Sequence, residues 1–266
     1  LTHGPTGGVD PESFVHCKYI VIWACNTIST NLHHWPFVLE AHKRGAKVVV
    51  VDSYRSRTAK SADWHICPKP GTDGALALAI INSMVEQGLV DQDYVDNYTL
   101  GWPELKERAA EFSLELAEEI TGVRAADITK FAYEFATSQP SAIRIGVAIE
   151  RSAGGAQAAR AVYAIPAVAG SWRHVGGGML QLPLWDFPVD WAKAARPDFI
   201  KPGTRVVNNL RLGQALTGEM QLDPPIMSLF VFCTNPVSQS PETDKIVEGL
   251  NREDLFDHGF SLAGET

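Results

Sequence analysis

Two apolar runs constrain this chain more than anything else in it. Residues 19–24 (YIVIWA) and 47–51 (KVVVV) are unbroken by polar alternation. Strands buried on both faces read this way, and they belong to parallel sheets covered by helices. Between them, Trp35, Phe37, Val38, Leu39 and Ala41 predict a helix over 35–44, which Gly45 stops. The three segments make one βαβ unit. Each strand ends in a polar loop, Cys25 to Asn31 after the first and Asp52 to Thr58 after the second. A third strand, 64–67, is kept short by Pro68 and Pro70 and runs into Pro-Gly-Thr-Asp. Three loops of hydroxyl, amide and carboxyl groups therefore gather at one sheet edge, where a parallel α/β sheet holds a nucleotide.

Further along, Thr72 or Asp73 can cap a helix over 74–87 with an apolar face of Leu76, Ala77, Ile80, Ile81 and Met84, and Gly88 stops it. Residues 91–138 read as acidic helices that serve packing, with Pro103 near one start and Gly122 between two of them. Residues 142–147 (AIRIGV) are a fourth strand. An Ala-rich helix over 155–169 follows, its small side chains suited to close contact with a sheet or another backbone. The run of glycines at 176–178 marks a boundary. Residues 179–208 carry Pro183, Pro188, Pro197 and Pro202 with Trp185 and Trp191, an ordered loop with aromatics to bury. A helix over 208–216, a buried strand over 226–233 ending in Thr234-Asn235-Pro236, and a helix over 242–250 capped from Pro241 or Ser240 complete the reading. The expected fold class is α/β: a Rossmann-like parallel sheet flanked by helices over 1–178, plus part of a second α/β domain over 179–266.

Composition narrows the function. Net charge is −8 with no Lys/Arg cluster, which argues against nucleic-acid and anionic-membrane surfaces. It leaves room for one phosphate-bearing ligand, which needs only local donors. No stretch approaches the roughly 20 apolar residues of a membrane helix. Cys17, Cys25, Cys67 and Cys233 form no CxxC pair, and the histidines show no metal-ligand spacing. His33 and His34 read as surface or packing residues. No GxSxG, Ser-His-Asp set or P-loop is present. The chain lacks an initiator Met and opens and closes in mid-loop, so it is expected to be a piece of a longer protein.

The loop after the first strand lacks the GxGxxG of an NAD site, and Asn26, Thr27, Ser29 and Thr30 offer side-chain donors instead. Its plain alternative is a polar loop with a helix cap. Asp52 sits where an acid can accept from a ribose hydroxyl, or where a turn simply wants Asp. Ser53, Tyr54, Arg55, Arg57 and Thr58 follow, and two arginines beside an acid suit a phosphate. Gly71 lets a ligand approach closely. A carboxylate at Asp73 can accept from the two N–H groups of a guanine edge, or it can cap its helix, worth about 1 kcal/mol. Glu150, Arg151 and Asn235, each after a strand end, read alone as structural.

Taken together, IWACN, VVDSYRSRTAKSADWHICPKPGTDGALALAI, IRIGVAIERSAGG, RAVYAIPAVAGSWRHVGGGM, TNPVSQSP and REDLF resemble, in order, the blocks of the molybdopterin oxidoreductases of the dimethyl sulfoxide reductase family. The resemblance runs from about residue 9 to about residue 256. It implies a molybdenum or tungsten ion held between two molybdopterin guanine dinucleotides, one of them bound by this chain. Trp23, Cys25, Asn26 and Thr27 would lie against that dinucleotide, with Ala24 where the family has Gly. Asp52, with Ser53 and Tyr54, matches the family's Asp-Pro-Arg turn with departures, and Thr58 follows in the same loop as a further candidate contact to the cofactor. Gly71, Thr72 and Asp73 match its guanine-side loop unchanged. Gly146 and Arg151 match a strand end and its following Arg, and Thr234 and Asn235 match the loop near the pterin.

The resemblance further implies that the metal ligand, and any iron–sulfur cluster, lie upstream of Leu1, and that the grip on the second dinucleotide lies beyond Thr266. The parent would do two-electron redox chemistry such as oxygen-atom transfer or dehydrogenation. Its partners would be the rest of the parent polypeptide and electron-transfer subunits, in a prokaryotic cytoplasm or periplasm. No turnover is expected from this chain alone. One alternative is a non-catalytic relative such as the large peripheral subunit of respiratory complex I, against which the intact PGTD loop speaks. The other is an NAD-dependent enzyme, against which the absent GxGxxG speaks.

Overall fold

A computed structural model describes residues 8–182 and 189–259 of the chain. It divides into two compact units, Leu1–Val189 and Asp190–Thr266. Among the described residues, the first unit is built on a five-stranded parallel sheet in the order β3-β2-β1-β4-β5. The strands are β1 (Tyr19–Trp23), β2 (Lys47–Val51), β3 (Trp64–Ile66), β4 (Ser141–Ile145) and β5 (Gly178–Leu180). Trp23 at the end of β1 stands opposite Val51 on one side and Ile145 on the other. The first strands step outward one way from β1 and the later strands step the other way. The order therefore reverses between β1 and β4, and the loops leaving those two strands part company there.

The helices follow from the apolar pattern. On one face lies α1 (Trp35–Lys43), with Val38 and Ala41 buried against the even positions of β1 and β2. On the other lie α2 (Asp73–Glu86), α3 (Gln92–Tyr98), α4 (Trp102–Ala110), α5 (Leu114–Thr121), α6 (Ala125–Thr137) and α7 (Gly155–Val168). The expected face of α2 is the one buried, since Leu76, Ala77, Ile80, Ile81 and Met84 all reach the core. Each large side chain among them stabilises by about 1.5–3 kcal/mol. The small residues of α7 allow the close contact foreseen for them. A Cβ placed on Gly74 of α2 would lie 3.3 Å from the Cα of Ala158 of α7.

Several expectations shift. β1 ends at Trp23, because Ala24 turns away with φ +49°. A helical turn, Thr27–Thr30, occupies what reads as loop. The glycine run at 176–178 leads directly into β5 of the same sheet. His34 is wholly enclosed, with 2% of its surface exposed.

The second unit is smaller. Helices α8 (Leu212–Leu216) and α9 (Thr243–Leu250) pack tightly, since a Cβ on Gly249 would come within 2.3 Å of the Leu216 Cβ. Strands β6 (Ser228–Val231) and β7 (Phe256–Gly259) pair in parallel. β6 is not the buried strand its apolar run predicts, since Ser228 and Phe230 are exposed. Among the described residues, no second layer of this unit covers those two side chains. Trp191, expected to be buried, opens the turn Trp191–Ala195 and is half exposed, while Trp185, Pro183 and Pro188 lie outside the described residues. Glu242 rather than Pro241 or Ser240 precedes α9, and no side chain caps that helix.

Candidate functional site

The parallel strands all end at one edge of the sheet, and the loops after β1, β2, β3 and β4 enclose a cleft of ≈ 210 Å³. Ala24, Asp52, Ser53, Gly71, Asp73 and Arg151 line it, together with the 68–70 turn and Ala148, Ile149 and Ser152. It opens beside the reversal in strand order, the position where doubly wound sheets hold ligands.

Asp73 is the first residue of α2, and its side chain does not cap the helix. Oδ1 accepts a hydrogen bond of 2.8 Å from the indole Nε1 of Trp23, which is completely buried at the end of β1. Oδ2 has no hydrogen-bond partner among the described residues. Thr72 stands at the cap position, yet its hydroxyl donates to the Lys69 carbonyl at 2.7 Å. Neither residue therefore plays the capping role that sequence alone leaves open to it.

Asp52 leaves β2 with its Oδ1 accepting from the Tyr54 N–H at 3.0 Å and its carbonyl bonded to His65 at 2.8 Å. Partial burial pushes its pKa above the ordinary carboxylate value, the Tyr54 N–H and His65 oppose that, and the charge of Asp73 adds to it. Two carboxylates thus face one cleft. The cations that line it are Lys69, whose Nζ donates to the Glu119 carbonyl at 2.9 Å, and Arg151, which is exposed.

The remaining β1-loop residues lie outside the cleft lining. Thr58 interlocks the first two loops: its hydroxyl donates to Asn26 Oδ1 at 2.9 Å and accepts from the Ile28 N–H at 3.0 Å. Thr27 and Thr58 are fully buried, and Thr27 donates to the Sγ of buried Cys25 at 3.6 Å. These groups hold the loops to one another. Tyr54 is 70% exposed. Gly146 brings the exits of β1 and β4 together, its N–H bonded to the Trp23 carbonyl at 2.8 Å. Thr234 and Asn235 belong to the second unit, where Asn235 caps the turn Pro236–Gln239 and Thr234 donates to Gln239 at 2.7 Å.

Sequence reading missed Lys69 and Ser152. Lys69 stands between two prolines in the loop already singled out, and that rigid placement was the available signal. Nothing in the local sequence marks Ser152.

The cleft thus brings together two carboxylate acceptors, Asp52 and Asp73, and two cationic side chains, Lys69 and Arg151. Among the described residues, no cluster of His, Cys, Asp or Glu could hold a metal ion. No described helix is long and apolar enough to cross a membrane.

Comparison with known proteins agrees with this architecture. The molybdopterin oxidoreductase family model matches residues 10–257. The probable oxidoreductase YoaE of Bacillus subtilis (strain 168) is 39% identical over 256 residues, 96% of this chain and 37% of that protein. The probable dimethyl sulfoxide reductase chain YnfF of Escherichia coli (strain K12) is 26% identical over 269 residues, 87% of this chain and 33% of that protein. The solved structure of acetylene hydratase from Pelobacter acetylenicus superimposes with a TM-score of 0.67 at 26% identity, covering 94% of this chain and 39% of that one. The chain spans less than two fifths of the length of these relatives. On a family match that runs almost end to end and a shared fold, the chain belongs to the molybdopterin oxidoreductases of the dimethyl sulfoxide reductase family.

Proposed function

We propose that this chain binds one of two molybdopterin guanine dinucleotides in a molybdenum or tungsten oxidoreductase. The first unit, whose sheet includes β5, would form the dinucleotide-binding domain, and the unit from Asp190 onward the start of its neighbour. The observation that carries this reading is the pairing of Asp52 and Asp73 across one cleft at the reversal of strand order. Asp73, with Oδ2 unpartnered, would accept from the guanine edge. Asp52 would accept from the ribose, and Lys69 and Arg151 would meet the diphosphate.

The bound metal centre would supply two-electron redox chemistry to the parent enzyme, as oxygen-atom transfer or dehydrogenation. This chain's residues would bind and orient the cofactor and set its electrostatic surroundings. An iron–sulfur cluster and electron-transfer subunits would complete the parent, and the isolated chain would not turn over substrate. The test uses the full-length gene product. Molybdenum or tungsten, with GMP released by acid, is the expected yield. A folded protein free of both overturns the reading.

A further inference from the structure

An Asp at the first position of a helix has an easy local use. Its carboxylate can fold back onto the free N–H groups of the first turn. Asp73 does not do this. Its Oδ1 is drawn 2.8 Å onto the Nε1 of Trp23, fifty residues earlier in the chain. Trp23 is itself immobilised. It is completely buried, and its ring meets Phe131 edge-on at 6.3 Å between centroids. The bond therefore ties the carboxylate to a fully buried side chain at the end of the central strand.

From this geometry we infer that Trp23 is a positioning residue that sets base selectivity at the cleft. The inference rests on the guanine reading above. The indole fixes the plane of the carboxylate and keeps it off its own helix, so that it presents one unpartnered oxygen and one half-engaged oxygen to a base edge. Each carboxylate oxygen has two lone pairs, so Oδ1 can accept from the indole and from a ligand together. A fixed plane favours a base with two adjacent N–H donors, which guanine has. Hypoxanthine, with one donor there, gains far less from that fixed plane.

The probes are GMP and IMP, titrated calorimetrically into the 266-residue chain. The unaltered chain is expected to prefer GMP. Trp23→Phe keeps an aromatic ring in the core but removes the indole donor. It is expected to weaken GMP about tenfold, the worth of one charge-assisted hydrogen bond, while changing IMP little. The GMP-to-IMP preference then falls towards unity. A merely loosened cleft would weaken both nucleotides alike and leave the ratio unchanged, which overturns the inference.

Asp73→Asn separates the two layers of the proposal. If that variant still binds GMP as the parent does, the guanine reading itself fails. If it loses GMP while Trp23→Phe behaves as the parent does, only the positioning role fails. A readout that needs no change at Trp23 guards against misfolding of its variant. In the ¹⁵N-labelled chain the Trp23 indole N–H signal should shift on addition of GMP and on Asp73→Asn. An indole signal indifferent to both overturns the inference.

Discussion

A methyl group added to Gly146 would lie 1.9 Å from the carbonyl oxygen of Ala24. The exits of β1 and β4 are pressed together at the point where the strand order reverses, and no flexible side chain stands between them to give way. Gly146→Ala therefore has to separate the two strand ends. We expect a loss of about 3 kcal/mol, the upper range for overpacking, read as a lower urea midpoint. Unchanged stability would mean that the strand ends have slack.

Ala24 itself sits at φ +49°, in the left-handed region. For an L-residue that conformation costs roughly 1–2 kcal/mol, and glycine escapes most of the cost. Part of the gain is offset by the greater freedom of glycine in the unfolded chain. Ala24→Gly should raise stability by about 1 kcal/mol and increase the melting temperature by a few degrees. A loss of stability would show that the methyl group is needed for packing.

The same two residues show what could be read in advance. The apolar runs of β1 and β2, the glycine after β4 and the Pro-Gly-Thr-Asp loop are local signals, and each marks an element of the cleft. The bond from Trp23 to Asp73 has no local signal, since Trp23 reads as one more core residue in an apolar strand. β5 is three residues long and follows directly on glycines, which look like a break rather than a strand. The apolar run of β6 reads as buried because hydrophobicity reports a demand for cover, and not whether that cover is present. Local pattern thus fixes which loops meet. Contacts between residues far apart in sequence decide which side chain in each loop faces the cleft.

Asp52 makes stability depend on pH in an unusual direction for a carboxylate. Partial burial and the nearby charge of Asp73 raise its pKa above 3.8 in the folded state. The native state then holds a proton that the unfolded chain has already released. Stability therefore falls as the pH rises from 3.8 through the raised folded value, and the cost persists at neutral pH. Asp52→Asn should remove that slope and melt higher than the parent at pH 7. The same variant should bind GMP more weakly, because an amide oxygen is a poorer acceptor for a ribose hydroxyl. Identical melting profiles for the two proteins across the acid range would refute the assignment.

His34 supplies the opposite dependence. Both ring nitrogens are buried without a hydrogen-bond partner, and the ring packs edge-on against Phe14 at 4.5 Å between centroids. Burial, aided by the charge of Arg144, lowers its pKa from 6.5 to about 4. The unfolded chain takes up a proton near 6.5, whereas the native state resists until about 4, so stability declines as the pH falls through that window. At about 1.4 kcal/mol per unit, the decline amounts to roughly 3 kcal/mol. His34→Phe keeps a flat ring against Phe14 and removes two unsatisfied nitrogens. It should gain about 1 kcal/mol at pH 7, and the gain should widen steadily towards pH 4. The measurement is chemical denaturation of both proteins at intervals between those values. A difference that stays constant with pH would mean that His34 takes up its proton over the same range folded and unfolded, so that burial does not lower its pKa.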